Sequence, residues 1–319
     1  MLHRRQFFPL AAALPWAAVR AADKRGYTFG VVAKSNNNAV FQVARVGALD
    51  GAKELGAKHG LNLKIDWRTP NEEDPQKQAE AIEQLVLAGV DGIAVSCSDA
   101  NKLTGAIDSA VKNGVPVATF DSDAPRSKRF VTFGVDDEKC GIQVMKELAT
   151  IMGGAGVVAV LAGNQNAPNL QLRVRGVRNE LKNHPGIKLR DTYFHKETPQ
   201  DAASKVEQVM QANPEITGWA LVGGWPLFTD NALKWAPGTV KCVSVDALPA
   251  QLPYLKTGHV QLLLAQHCYL WGYRSVEHLL NKVHFKKDPA AVKDVSGLIH
   301  VSKENVDDWA KNWEKWLPK

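Results

Sequence analysis

Two aspartates stand at matching places in this chain. Asp121 follows the apolar run Val115-Pro-Val-Ala-Thr-Phe120, and Asp246 follows Val240-Lys-Cys-Val-Ser-Val245. Short β-rich runs inside an alternating helix–strand pattern read as parallel strands, and ligands bind beyond the carboxyl ends of such strands. One carboxylate in each half of the chain suggests a ligand held between two similar lobes. Other strand ends carry related chemistry. Lys34-Ser-Asn-Asn-Asn38 and Phe41 follow the first strand, Trp225 follows Leu221-Val-Gly-Gly, Gln266 follows Val260–Ala265, and Arg173 opens a helix of the second half. Planar groups such as Asp, Asn, Gln and Arg match the adjacent donors and acceptors of a sugar, and aromatic rings suit its C–H face. A single loop Asn or Asp commonly just caps a helix. A set at corresponding positions points to carbohydrate binding.

Catalysis finds little support. The chain has no Gly-x-Ser-x-Gly elbow, no Walker-type loop and no His-Glu-x-x-His. Gly153-Gly-Ala-Gly156 precedes its strand, whereas a dinucleotide fingerprint follows a strand and opens a helix. It reads as a helix C-cap and turn. The aspartates have no nucleophile beside them in sequence. Cys97, Cys140, Cys242 and Cys268 match no metal spacing, and the first and third sit in strand runs as small core hydrophobes.

The elements that must position these residues alternate with few interruptions. Strands are predicted over 27–33, 62–66, 92–96, 115–120 and 130–133, separated by helices over 39–59, 75–88 and 100–113. The second half repeats the scheme. It has helices over 137–152, 169–182, 201–212 and 226–235, and strands over 157–161, 188–193, 218–221, 240–245 and 260–264. The pattern predicts an α/β protein of two doubly wound parallel-sheet lobes. Near the end, Val306–Leu317 reads as one amphipathic helix with Trp309, Trp313 and Trp316 on a stripe that docks on the body.

Composition bounds the rest. At 319 residues the chain is comfortable for two cores. Arg4 and Arg5, then Phe7 and Phe8, an apolar stretch to Val19, and the small residues of Val19-Arg-Ala21 read as a twin-arginine export leader over residues 1–22. The apolar run is too short to span a bilayer. The formal charge of +6 includes three leader arginines. Without them it falls to about +3, too little and too dispersed for nucleic acid.

From residue 23 onward the chain resembles the periplasmic sugar-binding proteins of bacterial ABC importers, of the ribose-binding type. The resemblance rests on Gly30-Val-Val-Ala-Lys-Ser-Asn-Asn-Asn38 with Phe41, Val115-Pro-Val-Ala-Thr-Phe-Asp121, Arg173-Val-Arg-Gly176, Val243-Ser-Val-Asp246 and Ala265-Gln266. It implies Asn38, Asp121, Arg173, Asp246 and Gln266 as polar ligands of a small sugar or polyol, with Phe41 in the aromatic wall. It also implies three hinge crossings, near 134–136, 266–267 and 294–297. The lobes would then be 23–135 with 267–295, and 136–266 with 296–319. A periplasmic monomer that needs no cofactor or metal and delivers its ligand to a membrane permease is the expectation. Departures from the family's ribose-type pattern are Lys34, Ala39, Val40, Ser122 and Trp225. They point away from ribose toward another pentose, a deoxy sugar, a sugar alcohol or a sugar acid, and Lys34, Ser122 and Trp225 join the candidate ligand residues. A quorum-signal or chemotaxis receptor of the same fold is the alternative. A repressor of the lactose type would need a helix-turn-helix where the leader stands.

Overall fold

Strands that are short and apolar on both faces must be covered by helices on both sides, and the chain is built that way. The computed structural model describes residues 26–317; the leader read over residues 1–22 lies outside them. The first sheet begins with β1 (Gly26–Val32), α1 (Ala39–His59), β2 (Asn62–Trp67), α2 (Pro75–Leu87), β3 (Gly92–Val95), α3 (Ala100–Lys112), β4 (Val117–Phe120) and β5 (Val131–Val135). The second takes α4 (Asp137–Ile151), β6 (Gly156–Ala162), α5 (Pro168–Leu181), β7 (Ile187–Phe194), α6 (Pro199–Ala212), β8 (Gly218–Leu221), β9 (Lys241–Val245), α7 (Leu252–Thr257) and β10 (Leu262–Ala265). Then α8 (Cys268–Val283) packs on α1, β11 (Lys293–Ser296) joins the first sheet and β12 (Ile299–Val301) the second. Two short helices, α9 (Val306–Ala310) and α10 (Trp313–Trp316), follow.

The strand orders are β11-β5-β4-β3-β1-β2 and β12-β10-β9-β8-β6-β7, so the two sheets repeat one topology. Pairing is parallel throughout the described residues except between β10 and β12. The inner strands β3, β4, β8 and β10 are buried along their whole length, while the edge strands β2 and β7 expose residues. The chain passes between the sheets three times, after β5, after β10 and between β11 and β12. Ser296 still pairs with Val135 in the first sheet, one residue beyond the boundary expected from the sequence.

Local chemistry sets the ends of the elements. Asp74 and Asp99 cap α2 and α3, Asp136 caps α4 and Thr198 caps α6, each accepting from a first-turn amide. Gly60 ends α1 in the left-handed conformation at φ 65°. Gly176 lets α5 lie close on α4, because a Cβ there would come within 2.1 Å of the Glu138 carbonyl oxygen.

Two helices expected from the sequence are not formed as such. Over 226–235 only Trp225–Phe228 is helical, as one 3-10 turn. The Tyr254 hydroxyl takes up the freed backbone there, donating to the Thr229 carbonyl and accepting from the Ala232 amide at 2.9 Å. The C-terminal helix breaks at residues 311–312 into α9 and α10. The break lets its tryptophans serve two partners. Trp309 donates its indole N–H to the Ala247 carbonyl at 2.7 Å, while Trp316 stacks on Tyr269 of α8 at 5.9 Å between ring centres. All four cysteines are buried free thiols.

Candidate functional site

Asp121 and Asp246 share a backbone conformation that most residues avoid. Their φ values are 56° and 71°, in the left-handed region that Asp tolerates better than most side chains. The Asp121 amide donates to the Phe133 carbonyl of β5, and the Asp246 amide donates to the Leu264 carbonyl of β10. In the matching strand orders these are equivalent bonds. Each strand thus ends by turning its aspartate out over the sheet edge, and both carboxylates line one cavity between the lobes.

The second-lobe wall is a chain of charge-assisted bonds. Asp137, the first residue of α4, accepts from Arg173 Nε at 2.8 Å. Arg173 Nη1 donates to the Val222 carbonyl, and Nη2 donates to Gln266 Oε1 at 2.8 Å. Gln266 Nε2 in turn donates to Asp246 Oδ1 at 2.8 Å. Burial lowers the proton affinity of Arg173, but Asp137, Cys140, Asp121 and Asp246 outweigh it and the net direction is up, so the guanidinium stays charged. Burial pushes Asp137 up to about 6 against the pull of Arg173. It raises Asp246 too, opposed by Arg173, the Gln266 bond and the Gly224 amide.

The first-lobe wall holds Asp121, Lys34, Asn38 and Phe41. Ser96 donates to Asp121 Oδ2 at 2.7 Å. Asn38 caps α1 by accepting from the Val40 amide, so its capping and site roles fall on one side chain. Side-chain bonds cross between the lobes. Lys34 Nζ donates to Asn169 Oδ1 at 3.2 Å, and Asn169 Nδ2 donates to Asp121 Oδ1 at 3.2 Å. At the rim, Asn164 Nδ2 donates to Glu73 Oε1 at 3.1 Å. Burial works against the Lys34 ammonium, yet Glu197, Asp121 and Glu73 outweigh it and hold its pKa above the ordinary value. Phe41, Trp225, Phe228 and Trp271 supply aromatic surface, and the buried Trp271 indole N–H has no protein acceptor.

Of the candidate residues, Lys34, Asn38, Phe41, Asp121, Arg173, Trp225, Asp246 and Gln266 come together on this cavity. Ser122 does not. The left-handed turn at Asp121 sends the next side chain inward, where Ser122 is fully buried and does not line the cavity. Its carbonyl accepts from the Cys97 amide. Asn169, Glu197 and Trp271 line the cavity without having been singled out by sequence. Asn169 stands four residues before Arg173, on the same helix face, and Glu197 follows the carboxyl end of β7. Both carried a usable signal. Trp271, inside α8, carried none.

The arrangement supplies donors, acceptors and rings for a small polar ligand. Among the described residues no group of His, Cys, Asp and Glu is placed to hold a metal ion, and no helix is long and apolar enough to cross a membrane. The cavity measures ≈ 30 Å³, about the share of one water molecule and too small for a sugar ring.

Residues 29–287 match the family model described as a periplasmic binding protein domain. The ribose import binding protein of Bacillus subtilis (strain 168) is 24% identical over 268 residues, which is 84% of this chain and 85% of that protein. The xylitol-binding protein of Mycolicibacterium smegmatis is 26% identical over 254 residues, 77% of this chain and 70% of that one. Among solved structures, an ABC transporter solute-binding protein from Burkholderia graminis in complex with D-arabinose superposes with a TM-score of 0.82. It is 27% identical, over 89% of this chain and 98% of that one.

Proposed function

Since the chain belongs to the periplasmic binding protein family, whose members are solute receptors rather than enzymes, we propose that it captures one small sugar or polyol between its lobes and presents it to the permease of an ABC importer. The observation that carries this reading is the pair of left-handed aspartates, one from each sheet, on a single cavity with Arg173, Gln266, Asn38 and an aromatic surround. Relatives that bind ribose, xylitol and D-arabinose support a polyol of pentose size. The ligand bridges the lobes 23–135 with 267–296, and 136–266 with 297–319. Bridging shifts an open–closed equilibrium toward the closed form. The receptor acts as a monomer in the periplasm, exported by the twin-arginine route.

The test is a thermal-shift screen of the purified protein against pentoses, hexoses and polyols. A ligand at about a hundred times its Kd stabilises by about 2.7 kcal/mol. A saturable shift that disappears in Asp121→Ala and Asp246→Ala is expected. Turnover of a bound sugar, or no shift with any polyol, overturns the reading.

A further inference from the structure

Glu197 has no place in the family resemblance, yet it lines the same cavity as Lys34. Glu197 comes from the loop between β7 and α6, in the second lobe, and Lys34 from the loop after β1, in the first. Their charges act on each other, while their hydrogen bonds go elsewhere. Each is held by neutral neighbours. The Asn164 amide donates to Glu197 Oε1 at 3.2 Å, and Lys34 donates to Asn169. Gly163 makes room for the glutamate, since a Cβ at that position would lie 2.7 Å from Glu197 Cγ. The carboxylate is therefore seated by its surroundings, on the same cavity as the ammonium and from the other lobe.

A group between them must accept from an ammonium and donate to a carboxylate. A hydroxyl does both with one atom, and a carboxylate does only the first. The rest of the cleft adds to this selection. Asp121, Asp137, Asp246 and Glu197 outnumber Lys34 and Arg173 around the cavity, and Asp137 is bonded to Arg173 beside it. Three of the five N–H groups of Arg173 already donate to protein acceptors, and Asp137 offsets its charge. An anionic ligand would enter a field that is not positive and find its strongest cation already paired with Asp137. Burying a charge without a partner is far costlier than burying a hydroxyl.

We propose that Lys34 and Glu197 form a subsite for one uncharged hydroxyl and make this receptor reject sugar acids while accepting the corresponding sugars and sugar alcohols. The proposal rests on the sugar-receptor reading and narrows its ligand class. It removes the sugar acid from the candidates suggested by Lys34 alone.

The experiment titrates the full protein by calorimetry at about pH 8, where a free carboxylate is ionised, with D-ribose, D-arabinose and xylitol, and with D-ribonate and D-arabinonate. The best neutral probe should bind roughly a hundred-fold more tightly than either aldonate. Glu197→Gln should narrow that gap roughly ten-fold by strengthening aldonate binding, and Lys34→Met should weaken the neutral probe without helping the acids. Gly163→Ala, which crowds Glu197 without changing charge, should weaken the neutral probe and supplies a second variant. Exposed Glu83→Gln, away from the cavity, should change nothing. An aldonate that binds as tightly as its aldose overturns the proposal, as does a gap that Glu197→Gln leaves unmoved. If a neutral probe still binds in that case and is lost in Asp121→Ala, the receptor reading stands and only the subsite falls. If no probe of either class saturates the protein, both fall.

Discussion

At the scale of single residues, the two aspartates show how conformation and charge can be tested apart. Asn tolerates the left-handed backbone about as well as Asp, whereas a β-branched residue does not. Asp121→Asn should therefore leave the melting temperature of the free protein nearly unchanged. Its ligand affinity should fall about ten- to hundred-fold, because hydrogen bonds to a charged acceptor contribute about 1.5–3 kcal/mol. Asp121→Val at φ 56° should lower the melting temperature as well, which scanning calorimetry distinguishes. Glu197 gives a second residue-scale expectation. Burial pushes its carboxyl up to about 7, with Lys34 pulling down, Glu73 and Asp121 pushing up, and the Asn164 amide pulling down. A raised carboxyl pKa means the folded protein keeps a proton that the unfolded chain has released. The associated stability is complete below the ordinary Glu value, near 4.5, and is lost as pH rises through about 7. The melting temperature of the wild type relative to Glu197→Gln should fall across that window and level off above it. A difference that rises with pH would contradict the assignment.

At the scale of elements, how much the sequence disclosed depended on how local the signal was. The alternation of strands and helices was legible because short buried strands and capped helices are written in neighbouring residues, as with Asp99 before α3 or Gly60 after α1. Lys34, Asn38, Asp121, Asp246 and Gln266 were legible because each follows the end of a strand. Ser122 misled, since adjacency in sequence says nothing about which way the chain turns at φ 56°. Trp271 owes its place to the return of α8 to the first lobe, where it packs beside Phe41 and Phe120, a long-range fact with no local trace. The helix expected over 226–235 failed for a similar reason, because Tyr254, distant in sequence, takes its backbone groups. The tryptophan stripe was seen, but not that it splits between two lobes. Trp309 is fixed on Ala247 beside β9, while Trp316 and Lys315 lie on Tyr269 of α8. Truncation after Asn312 should then loosen closure more than it loosens either lobe. Small-angle scattering with and without ligand should show a larger change in radius of gyration than in the intact chain, and ligand affinity should weaken.

At the scale of the whole molecule, the repeated strand order makes the receptor two copies of one idea joined by three passages of chain. The copies are not equally continuous. The second sheet takes strands β6 to β10 from one unbroken stretch and only the short antiparallel β12 from beyond it, whereas the first sheet waits for β11 and for α8, which covers α1. This has a consequence for the chain as it leaves the ribosome. Domains acquire structure as units during synthesis, and here five strands of the second sheet are made before the first lobe receives α8 and β11. A nascent chain stopped at Gln266, once it has cleared the exit tunnel, should protect the segment from Asp137 to Ala265 against protease while residues before Val135 are still cleaved. Release of the sequence through Ser296 should protect both. The half of the cleft that carries Lys34 and Asp121 would then be assembled against a partner largely in place, so that the five-stranded body of the second lobe serves as the template on which the first is completed.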